Sequence, residues 1–302
     1  MWQRKQREAV IRFMKRTKLE KSRLRMKSWQ LLPAWQQLRL TAWIPWREIL
    51  RTSWLEICVS NIEGVMQKDF ELSEIPEDTE CIIVLGGDGT LIRAATKVES
   101  LHIPLIGVNL GTLGYLCELE ETSVFEAVDR LMADNYMIEE RLMLSGSKTG
   151  EIPQLALNDV VIHWTGDMSM LQLHVTVNGK FLTTYHADGI IVATPTGSTG
   201  YNMSAGGPII DPKARMMLLT PINAHDLNGQ SIVLSADDVV EIEMGSRRFQ
   251  KDEKACVSFD GDTTVHLKVG DRIRIASSNS VVSICKLNDQ SFLEILRKKM
   301  QR

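Results

Sequence analysis

The stretch CIIVLGGDGT, residues Cys81–Thr90, decides the fold class of this chain. Its first half is a continuous apolar run, which is typical of a strand buried on both faces of a parallel sheet. The glycine-rich turn leads into apolar residues at helical spacing from Leu91 to Val98, and Thr90 is a candidate cap for that helix. A second apolar run, Leu105–Val108, completes a strand–helix–strand unit. The sequence therefore predicts an α/β domain, Rossmann-like, with a parallel sheet and crossover helices.

From about Arg141 onward, short strand-like runs follow one another without intervening helices. Apolar residues alternate along Met170–Val177, and Asn178-Gly179 is a strong hairpin signal. Many short strands separated by turns predict a β-rich domain of the sandwich or barrel kind. Apolar residues at helical spacing in Gln290–Met300 predict a final helix with a basic tail.

The first 57 residues differ in composition from the rest. They contain 14 Lys and Arg against 4 Asp and Glu, a net charge of +10, whereas the whole chain has −3. They also hold six of the seven Trp and no Gly. We therefore divide the chain into an atypical basic, Trp-rich segment (1–57), an α/β domain with the GGDGT loop (58–138), a β-rich domain (139–285) and a C-terminal helix (286–302).

The composition of the whole chain excludes several classes of protein. With 302 residues, 44% of them hydrophobic and 24% charged, the chain is neither a collagen, nor largely disordered, nor a disulfide-stapled miniprotein. Its five Cys are widely spaced without a CxxC pair, so we expect a reducing, cytoplasmic compartment and no zinc site. Charges interrupt the Trp- and Leu-rich stretch from Trp29 to Val59, so it holds no apolar run of about 18 residues that could span a membrane. The basic stretch also lacks a nucleic-acid-binding motif.

Two glycine-rich loops and one polar pair are the candidate chemical sites. In the turn Gly86–Thr90, glycines let a phosphate approach the backbone, and Asp88 is suited to bind Mg²⁺ or to accept a hydroxyl proton. The bland alternative is a tight turn with Asp88 as a helix cap. The loop Thr194–Pro208 is dense in small and hydroxylic residues that could surround a polar ligand, unless it is only a surface loop. Asn158-Asp159 could bind a ribose diol or an adenine edge, although such pairs are more often turns.

Other reactive side chains carry little signal. The histidines form no HxxxH or His/Cys cluster, so we expect no protein-built metal site. Ser198 lacks the nucleophile elbow GxSxG, and we do not expect it to be a nucleophile.

Taken together and in this order, the motifs resemble those of the NAD kinase family, from about Glu80 to Lys299. The segments that carry the resemblance are GGDGT (Gly86–Thr90), GVNLGTLGYL (Gly107–Leu116), LND (Leu157–Asp159), ADGIIVATPTGSTGYNMSAGGPI (Ala187–Ile209), LLTPI (Leu218–Ile222) and FDGD (Phe259–Asp262). GGDGT alone is unspecific, because lipid kinases and phosphofructokinases use close relatives of it. The TPTGST run after DGIIV is highly specific.

The resemblance implies transfer of the γ-phosphoryl of ATP, or in some members of polyphosphate, to the 2′-hydroxyl of the adenosine ribose of NAD, which gives NADP. It also implies an α/β domain and a β-rich domain with the active site between them, and a last helix that returns to the first domain. Divalent cations, Mg²⁺ above all, would act with ATP. A homodimer or homotetramer is the family's usual assembly.

The resemblance also implies roles for particular residues. Asp88 would be the catalytic base or orienter of the 2′-hydroxyl. Asn158 and Asp159 would hold a ribose of NAD, and Asp188 would face the nicotinamide side. The NAD- and ATP-binding set carried over from the motifs is Gly86, Gly87, Gly89, Thr90, Tyr115, Asn158, Asp159, His186, Asp188, Thr196, Thr199, Gly200, Tyr201 and Ser204. Within it, the three glycines shape the phosphate-facing turn, and Tyr115, Thr199, Tyr201 and Ser204 belong near the adenine.

Four departures from the family pattern stand out. His186 replaces a common Arg, Gly200 replaces a usual Ala, and Asp159 is one methylene shorter than the usual Glu. Residues 1–57 lack the family's opening strand and turn, and look like a shifted reading frame or an extension that replaces the first βα unit. Two other functions therefore stay open at the sequence level. One is an NAD(P)-binding pseudoenzyme inactivated by this segment, and the other is a GGDGT-type lipid kinase.

Overall fold

The computed structural model describes residues 72, 75, 79–110, 114–117, 119–120, 123–165, 170–225, 229–246, 254–287 and 290–301. The segment 1–57, with the hypotheses attached to it, lies outside the described residues. The described chain divides into two compact units. The first comprises the residues up to Ala94 together with Ile103–Asn135, and the second comprises Ala95–His102 and everything from Tyr136 onward.

The first unit contains the predicted strand–helix–strand motif. Strand β1 (Ile82–Leu85) pairs in parallel with β2 (Leu105–Asn109), and β2 pairs in parallel with the short β3 (Leu119–Glu120). Helix α1 (Asp88–Val98) connects β1 and β2, and α2 (Val124–Met132) follows β3. Both β1 and β2 are buried along their whole length, as the continuous apolar runs predict.

The start of α1 differs from the sequence-based expectation. The carbonyl of Gly87 accepts hydrogen bonds from the N–H groups of Thr90 (3.0 Å) and Leu91 (3.2 Å), so the helix begins at Asp88. Thr90 therefore lies buried inside the first turn, and the expectation that it caps the helix is wrong. The boundary between the two units falls within α1, after Ala94.

The second unit contains two sheets whose strands are joined by antiparallel pairs. In its first sheet β15, β12, β7 and β8 are neighbours in that order, and β4 pairs with β15 and with β5. The second sheet has the order β11-β10-β9-β6-β13-β14. The strands are β4 (Met137–Lys148), β5 (Gln154–Ala156), β6 (Asp159–Trp164), β7 (Leu171–Val177), β8 (Lys180–Ala187), β9 (Gly189–Ala193), β10 (Met216–Ile222), β11 (Ile232–Ser235), β12 (Val239–Met244), β13 (Lys254–Phe259), β14 (Thr263–Lys268) and β15 (Arg272–Lys286).

The core of this unit lies between the two sheets, because alternate residues of each strand point to the same side. Val240, Ile242 and Met244 of β12 belong to the same buried apolar cluster as Val160 and Ile162 of β6. A smaller cluster on the other face of the second sheet includes Val161 and Ile191, against which Ala205 and Ile210 pack. The β-rich, sandwich-like domain that the sequence predicts is confirmed.

Local signals explain most, but not all, of these elements. Asn178 and Gly179 have φ values of 51° and 73°, as a type I′ hairpin turn between β7 and β8 requires. The sequence suggests separate strands for Arg272–Ala276 and Val281–Cys285, but β15 is one strand with an irregularity between Ser277 and Val281.

A short helix, α3 (Tyr201–Ser204), lies in the loop after β9. The last described helix is α4 (Phe292–Met300), and a capping box formed by Ser291 and Glu294 stabilises its first turn. This helix belongs to the second unit. Its packing on the first domain, and the four domain boundaries, stay predictions.

Candidate active site

The turn after β1 is shaped by close backbone packing. The N–H of Gly86 donates to the carbonyl of Val108 on β2 (2.9 Å), which closes the turn against the neighbouring strand. A Cβ on Gly86 would lie 2.7 Å from the Cβ of Thr90, so only glycine fits there. Gly87 and Gly89 are exposed, with open space around their Cα atoms. The turn therefore presents backbone to a ligand at the start of a helix, where phosphate binds readily.

The Asp88 carboxylate is held by the loop that follows β2. Oδ2 accepts the N–H of Tyr115 (2.6 Å), and Oδ1 accepts those of Leu116 (3.2 Å) and Cys117 (3.0 Å). A carboxylate offers about four lone-pair positions, and these described amides occupy three of them, one on Oδ2 and two on Oδ1. The described bonds tie Asp88 to this loop, which favours a positioned carboxylate over the alternative of a helix cap.

Gly114 and Cys117 lie close against the Asp88 carboxylate. A side chain on Gly114 would overlap the Asp88 carboxyl group, so the loop can approach it only through a glycine. Burial, and then the Asp88 charge, raise the pKa of the Cys117 thiol well above its usual range. Cys117 therefore stays neutral, and its thiol donates to the carbonyl of Gly86 (3.7 Å).

In the second unit, the Asp260 carboxylate accepts hydrogen bonds from three consecutive backbone N–H groups. These belong to Leu157 (2.7 Å), Asn158 (2.7 Å) and Asp159 (3.1 Å), while the N–H of Asp260 donates back to the carbonyl of Asp159 (3.0 Å). Asp260 occupies the turn between β13 and β14 with a φ of 50°. The same carboxylate is 3.5 Å from the hydroxyl of Thr96.

Asp159 and Asp260 form a buried acid pair. Burial, and then the charge of Asp260, raise the pKa of Asp159 to about 7. Burial also raises the pKa of Asp260, although its three amide donors favour the ionised form. Asp260 is thus the better stabilised anion of the pair, and Asp159 changes its charge near neutral pH.

The loop after β9 is fastened to Asn158 by its first residues. Thr194 donates its N–H to the carbonyl of Asn158 (2.8 Å) and its hydroxyl to that of Leu157 (2.6 Å). The N–H of Gly197 then donates to the Thr194 hydroxyl (3.0 Å). A Cβ on Gly197 would overlap the Asn158 backbone. The 3₁₀ turn Thr196–Thr199 is thereby set directly against the polar pair.

A buried polar network fixes the rest of this loop. The Ser198 hydroxyl donates to the carbonyl of Pro195 (2.6 Å) and accepts the N–H of Ile210 (3.1 Å). Asn202, in the short helix α3 (Tyr201–Ser204), donates to the carbonyls of Ser198 (3.1 Å) and Pro208 (3.0 Å) and accepts the Thr220 hydroxyl (2.7 Å). The alternative of a plain surface loop is therefore wrong, and Ser198 has a structural role.

Two buried polar atoms in this region have no protein partner. Among the described residues, Asn158 Oδ1 and Thr196 Oγ1 are enclosed and lack a hydrogen bond. A Cβ on Gly200 would lie 3.3 Å from the Gly197 carbonyl oxygen, 3.6 Å from Asn158 Nδ2 and 3.9 Å from Asp159 Oδ2, so the backbone of Gly200 lies close to both side chains. Buried groups of this kind are normally satisfied by something, and a bound ligand would meet that need.

The remaining predicted residues lie in three places. His186 and Asp188 flank the junction of β8 and β9, where the His186 carbonyl accepts the N–H of His225 (2.9 Å) and Asp188 Oδ2 accepts Asn223 Nδ2 (3.0 Å). Tyr201 and Ser204 are exposed on α3, and Thr199 is half-buried at the end of the 3₁₀ turn. Tyr115 is half-buried beside Asp88. The structure thus groups the predicted residues within each unit by itself.

Sequence reasoning missed three residues that build the site: Asp260, Thr194 and Asn202. Asp260 lies in FDGD, and Thr194 is the first residue of TPTGST. Both motifs carry the family resemblance, but neither indicates a role for these two side chains. For Asn202 the signal was only its place in a loop dense in polar residues.

No protein-built metal centre is present in the part of the chain that the structure describes, since no three His, Cys, Asp or Glu side chains there come together as ligands. The described helices include none that is long and apolar enough to cross a membrane.

The glycine-rich turn holds a fixed carboxylate at the start of a helix, where phosphate binds readily. The β-rich unit has two buried polar atoms, Asn158 Oδ1 and Thr196 Oγ1, that lack a hydrogen-bond partner. Both features fit an enzyme that transfers phosphate between nucleotides. Residues 157–287 match the family model "ATP-NAD kinase C-terminal domain", and residues 45–136 match "ATP-NAD kinase N-terminal domain". A curated NAD kinase of Agathobacter rectalis is 66% identical over 243 residues, which is 80% of this chain and 86% of that protein. One from Lachnoclostridium phytofermentans is 43% identical over 235 residues, 76% of this chain and 82% of that protein. The chain belongs to the NAD kinase family.

Solved structures agree with this assignment. Yeast NADH kinase complexed with NADH superposes with a TM-score of 0.69 at 26% identity, over 75% of this chain and 69% of that chain. An NAD kinase from Archaeoglobus fulgidus in complex with ATP gives a TM-score of 0.64 at 27% identity, over 74% and 84%. The predicted family, fold class and enzyme class are confirmed, and neither the pseudoenzyme nor the lipid kinase is favoured. The N-terminal family match begins at residue 45, inside the segment that composition sets apart.

Proposed function

We propose that Asn158, Asp159 and the loop Thr194–Ser204 bind NAD, and that Asp88 activates its 2′-hydroxyl for attack on ATP. The observation that carries the proposal is the pair of buried, unpartnered atoms Asn158 Oδ1 and Thr196 Oγ1. An enclosed acceptor without a donor is costly, and the hydroxyl and amino groups of a nucleoside supply donors. The adjoining Gly197 packs directly on the Asn158 backbone, where a Cβ would overlap it, and so holds the turn that carries Thr196 against Asn158.

Asp88 has the chemistry that phosphate transfer requires. In the proposed step the 2′-oxygen of NAD forms a bond to the γ-phosphorus of ATP, the bond from that phosphorus to the bridging oxygen breaks, and ADP leaves. The 2′-hydroxyl proton passes to Asp88 Oδ2, which accepts one described amide where Oδ1 accepts two. The three amides from Tyr115–Cys117 keep the carboxylate oriented throughout, so its geometry does not depend on the substrate.

The other residues receive supporting roles. Gly86, Gly87, Gly89 and Thr90 form the phosphate-facing turn. Asp159 accepts ribose hydroxyls, and His186 and Asp188 contact the nicotinamide half of NAD. Tyr115, Thr199, Gly200, Tyr201 and Ser204 line the adenine region. The exposed side of Tyr201 supports this, since an unburied aromatic ring is available for stacking on a base.

Three broader features complete the proposal. Mg²⁺ enters with ATP and neutralises phosphate charge during the transfer. The enzyme assembles as a homodimer or homotetramer, as the family usually does. It works in the reducing cytoplasm, where the free thiols of Cys81, Cys117, Cys256 and Cys285 are stable.

The test compares Asp88→Asn with Asp129→Asn, which removes an equal charge from an exposed position on α2. We expect Asp88→Asn to reduce NADP formation at least about a hundredfold while NAD binding by calorimetry changes little. Asp129→Asn should behave like the parent enzyme. A parallel Asn158→Ala variant should weaken NAD binding about tenfold. Full activity in Asp88→Asn, or unchanged NAD affinity in Asn158→Ala, would refute the respective role.

A further inference from the structure

The turn residue Asp260 lies outside every role assigned so far, yet it makes more described hydrogen bonds to the Asn158-Asp159 segment than any other side chain. Its carboxylate accepts three successive N–H groups from that segment. We infer that Asp260 is a positioning residue of the NAD kinase reaction, which holds the backbone of Leu157–Asp159 so that Asn158 and Asp159 are presented to NAD. The inference rests on the proposed function of those two residues.

The strand ladder explains why a side chain is needed at this point. Strands β6 and β13 pair in register from Ala255 opposite Trp164 to Phe259 opposite Val160, and the last backbone bond runs from the Asp260 N–H to the Asp159 carbonyl. Beyond it the strand partner turns away at Asp260, whose φ is 50°. The amides of residues 157 to 159 would then lack acceptors, and the Asp260 carboxylate replaces the missing strand.

The same segment is fixed from its other side by Thr194. The carbonyls of Leu157 and Asn158 accept the hydroxyl and the N–H of Thr194, while their N–H groups go to Asp260. Asn158 is therefore clamped through both polar groups of its backbone, which leaves its side chain free to serve a ligand. Because Thr194 also receives the N–H of Gly197, loss of the Asp260 bonds would loosen the 3₁₀ turn as well.

A charge at position 260 has a second effect that a purely structural residue would lack. It acts electrostatically on Asp159, whose pKa burial and Asp260 together raise to about 7. Removal of the Asp260 charge should lower the pKa of Asp159 and leave it ionised at lower pH. The acid limb of kcat/KM for NAD reports ionisations in the free enzyme, so it reads out this interaction directly.

The experiment uses the full chain with Asp260→Asn, Asp260→Ala and the control Asp262→Asn, which removes an exposed carboxylate two residues along the same turn. Steady-state kcat and KM for NAD and for ATP are measured from about pH 5.5 to about pH 9, below the melting temperature of each variant. For Asp260→Asn we expect KM for NAD to rise about tenfold, since one amide loses a charged acceptor. We expect kcat and KM for ATP to stay within about threefold, and the acid limb to move to lower pH.

The remaining variants separate positioning from loss of structure. Asp260→Ala, which removes all three acceptor contacts, should raise KM for NAD further than Asp260→Asn. Asp262→Asn should match the parent enzyme in KM and in pH profile. Unchanged KM for NAD and an unmoved acid limb in Asp260→Asn would overturn the inference. So would a uniform loss of kcat and of both substrate affinities together with a lowered melting temperature. If Asn158→Ala left KM for NAD unchanged, the proposed function would fail instead, whatever Asp260 does.

Discussion

Replacing Asp159 by Asn should make the folded chain more stable above neutral pH and at the same time weaken NAD binding. In the folded state the pKa of Asp159 is raised from 3.8 to about 7, by burial and by the charge of Asp260. The folded chain therefore holds a proton on Asp159 between those two pH values, whereas the unfolded chain does not. The contribution of Asp159 to the free energy of unfolding is therefore fully present below about pH 4 and is lost as the pH rises through about 7.

The size of the effect follows from the shift. Each unit of pKa corresponds to about 1.4 kcal/mol, so ionisation of Asp159 costs the folded state on the order of 4 kcal/mol at pH 8. At pH 5 the cost is about 1.5 kcal/mol by the same relation. The difference in unfolding free energy between Asp159→Asn and the parent should therefore grow by about 2.5 kcal/mol from pH 5 to pH 8. Packing changes caused by Asn are the same at both pH values and cancel.

The assay is denaturant unfolding of both proteins at the two pH values, with Asp262→Asn as the exposed control from the neighbouring turn. NAD affinity is measured alongside, and we expect it to fall at least about tenfold at pH 8, because a neutral amide replaces a charged acceptor. A stability difference that stays constant with pH would show that Asp159 does not ionise near neutrality in the folded chain. That result would refute the claim that burial and the Asp260 charge raise the pKa of Asp159.

Three further predictions concern other parts of the site. Gly114→Ala should push the Asp88 carboxylate off its amides and lower kcat at least about tenfold with little change in melting temperature, because the obstruction is local; an unchanged kcat would contradict the geometry. Asn202→Leu should lower the unfolding free energy by about 3 kcal/mol, since the Thr220 hydroxyl and the carbonyls of Ser198 and Pro208 each lose a hydrogen bond to this amide; chemical denaturation measures it. Chelation of divalent cations should stop turnover without moving the melting temperature, because the proposed Mg²⁺ binds together with ATP and does not hold the fold; a large thermal shift would reveal a structural ion.

The fold was predictable wherever its cause is local. A continuous apolar run identified β1, and alternation with an Asn-Gly turn identified the β7–β8 hairpin. Gly189–Ala193 and Val239–Met244 have the bounds that their apolar patterns give. In each case a few neighbouring residues carry both the propensity and the burial pattern, so no distant contact is needed to define the element.

Elements that depend on tertiary context were missed. Strand β10 contains Pro221, a residue that argues against a central strand, yet Pro221 lies opposite Ile190 of β9, beyond Leu219 and Ile232, the last residue pair of the β10–β11 ladder. The irregularity near Ser277 interrupts the alternation of β15, so the sequence suggests two strands where pairing with β4 makes one. Thr90 has the chemistry of a cap, but hydrogen bonds to Gly87 begin the helix earlier.

The site shows the same division. Asn158 and Asp159 were identified because adjacent polar residues at the start of a strand are visible in the sequence. Asp260 was not, because its contacts reach residues 101 to 103 positions earlier in the chain, and no local pattern encodes a pairing of that range. What brings them together is the end of the β6–β13 ladder, which only the folded sheet defines.

The pair of Asp159 and Asp260 lowers the stability of the folded chain, and we interpret this cost as the consequence of a binding role for Asp159. Two carboxyl groups in one buried region disfavour ionisation of the second, and an apolar or amide residue at position 159 would remove that cost. Asp260 cannot be replaced so simply, since three amides at the end of a strand need its charge. Asp159 is therefore the member of the pair that is protonated below about pH 7. Its ionised form is the one suited to accept hydrogen bonds from ribose hydroxyls. Bound NAD would donate to that carboxylate and lower its pKa, so the folded chain should gain stability from NAD most strongly where Asp159 alone is least favourable, above about pH 7.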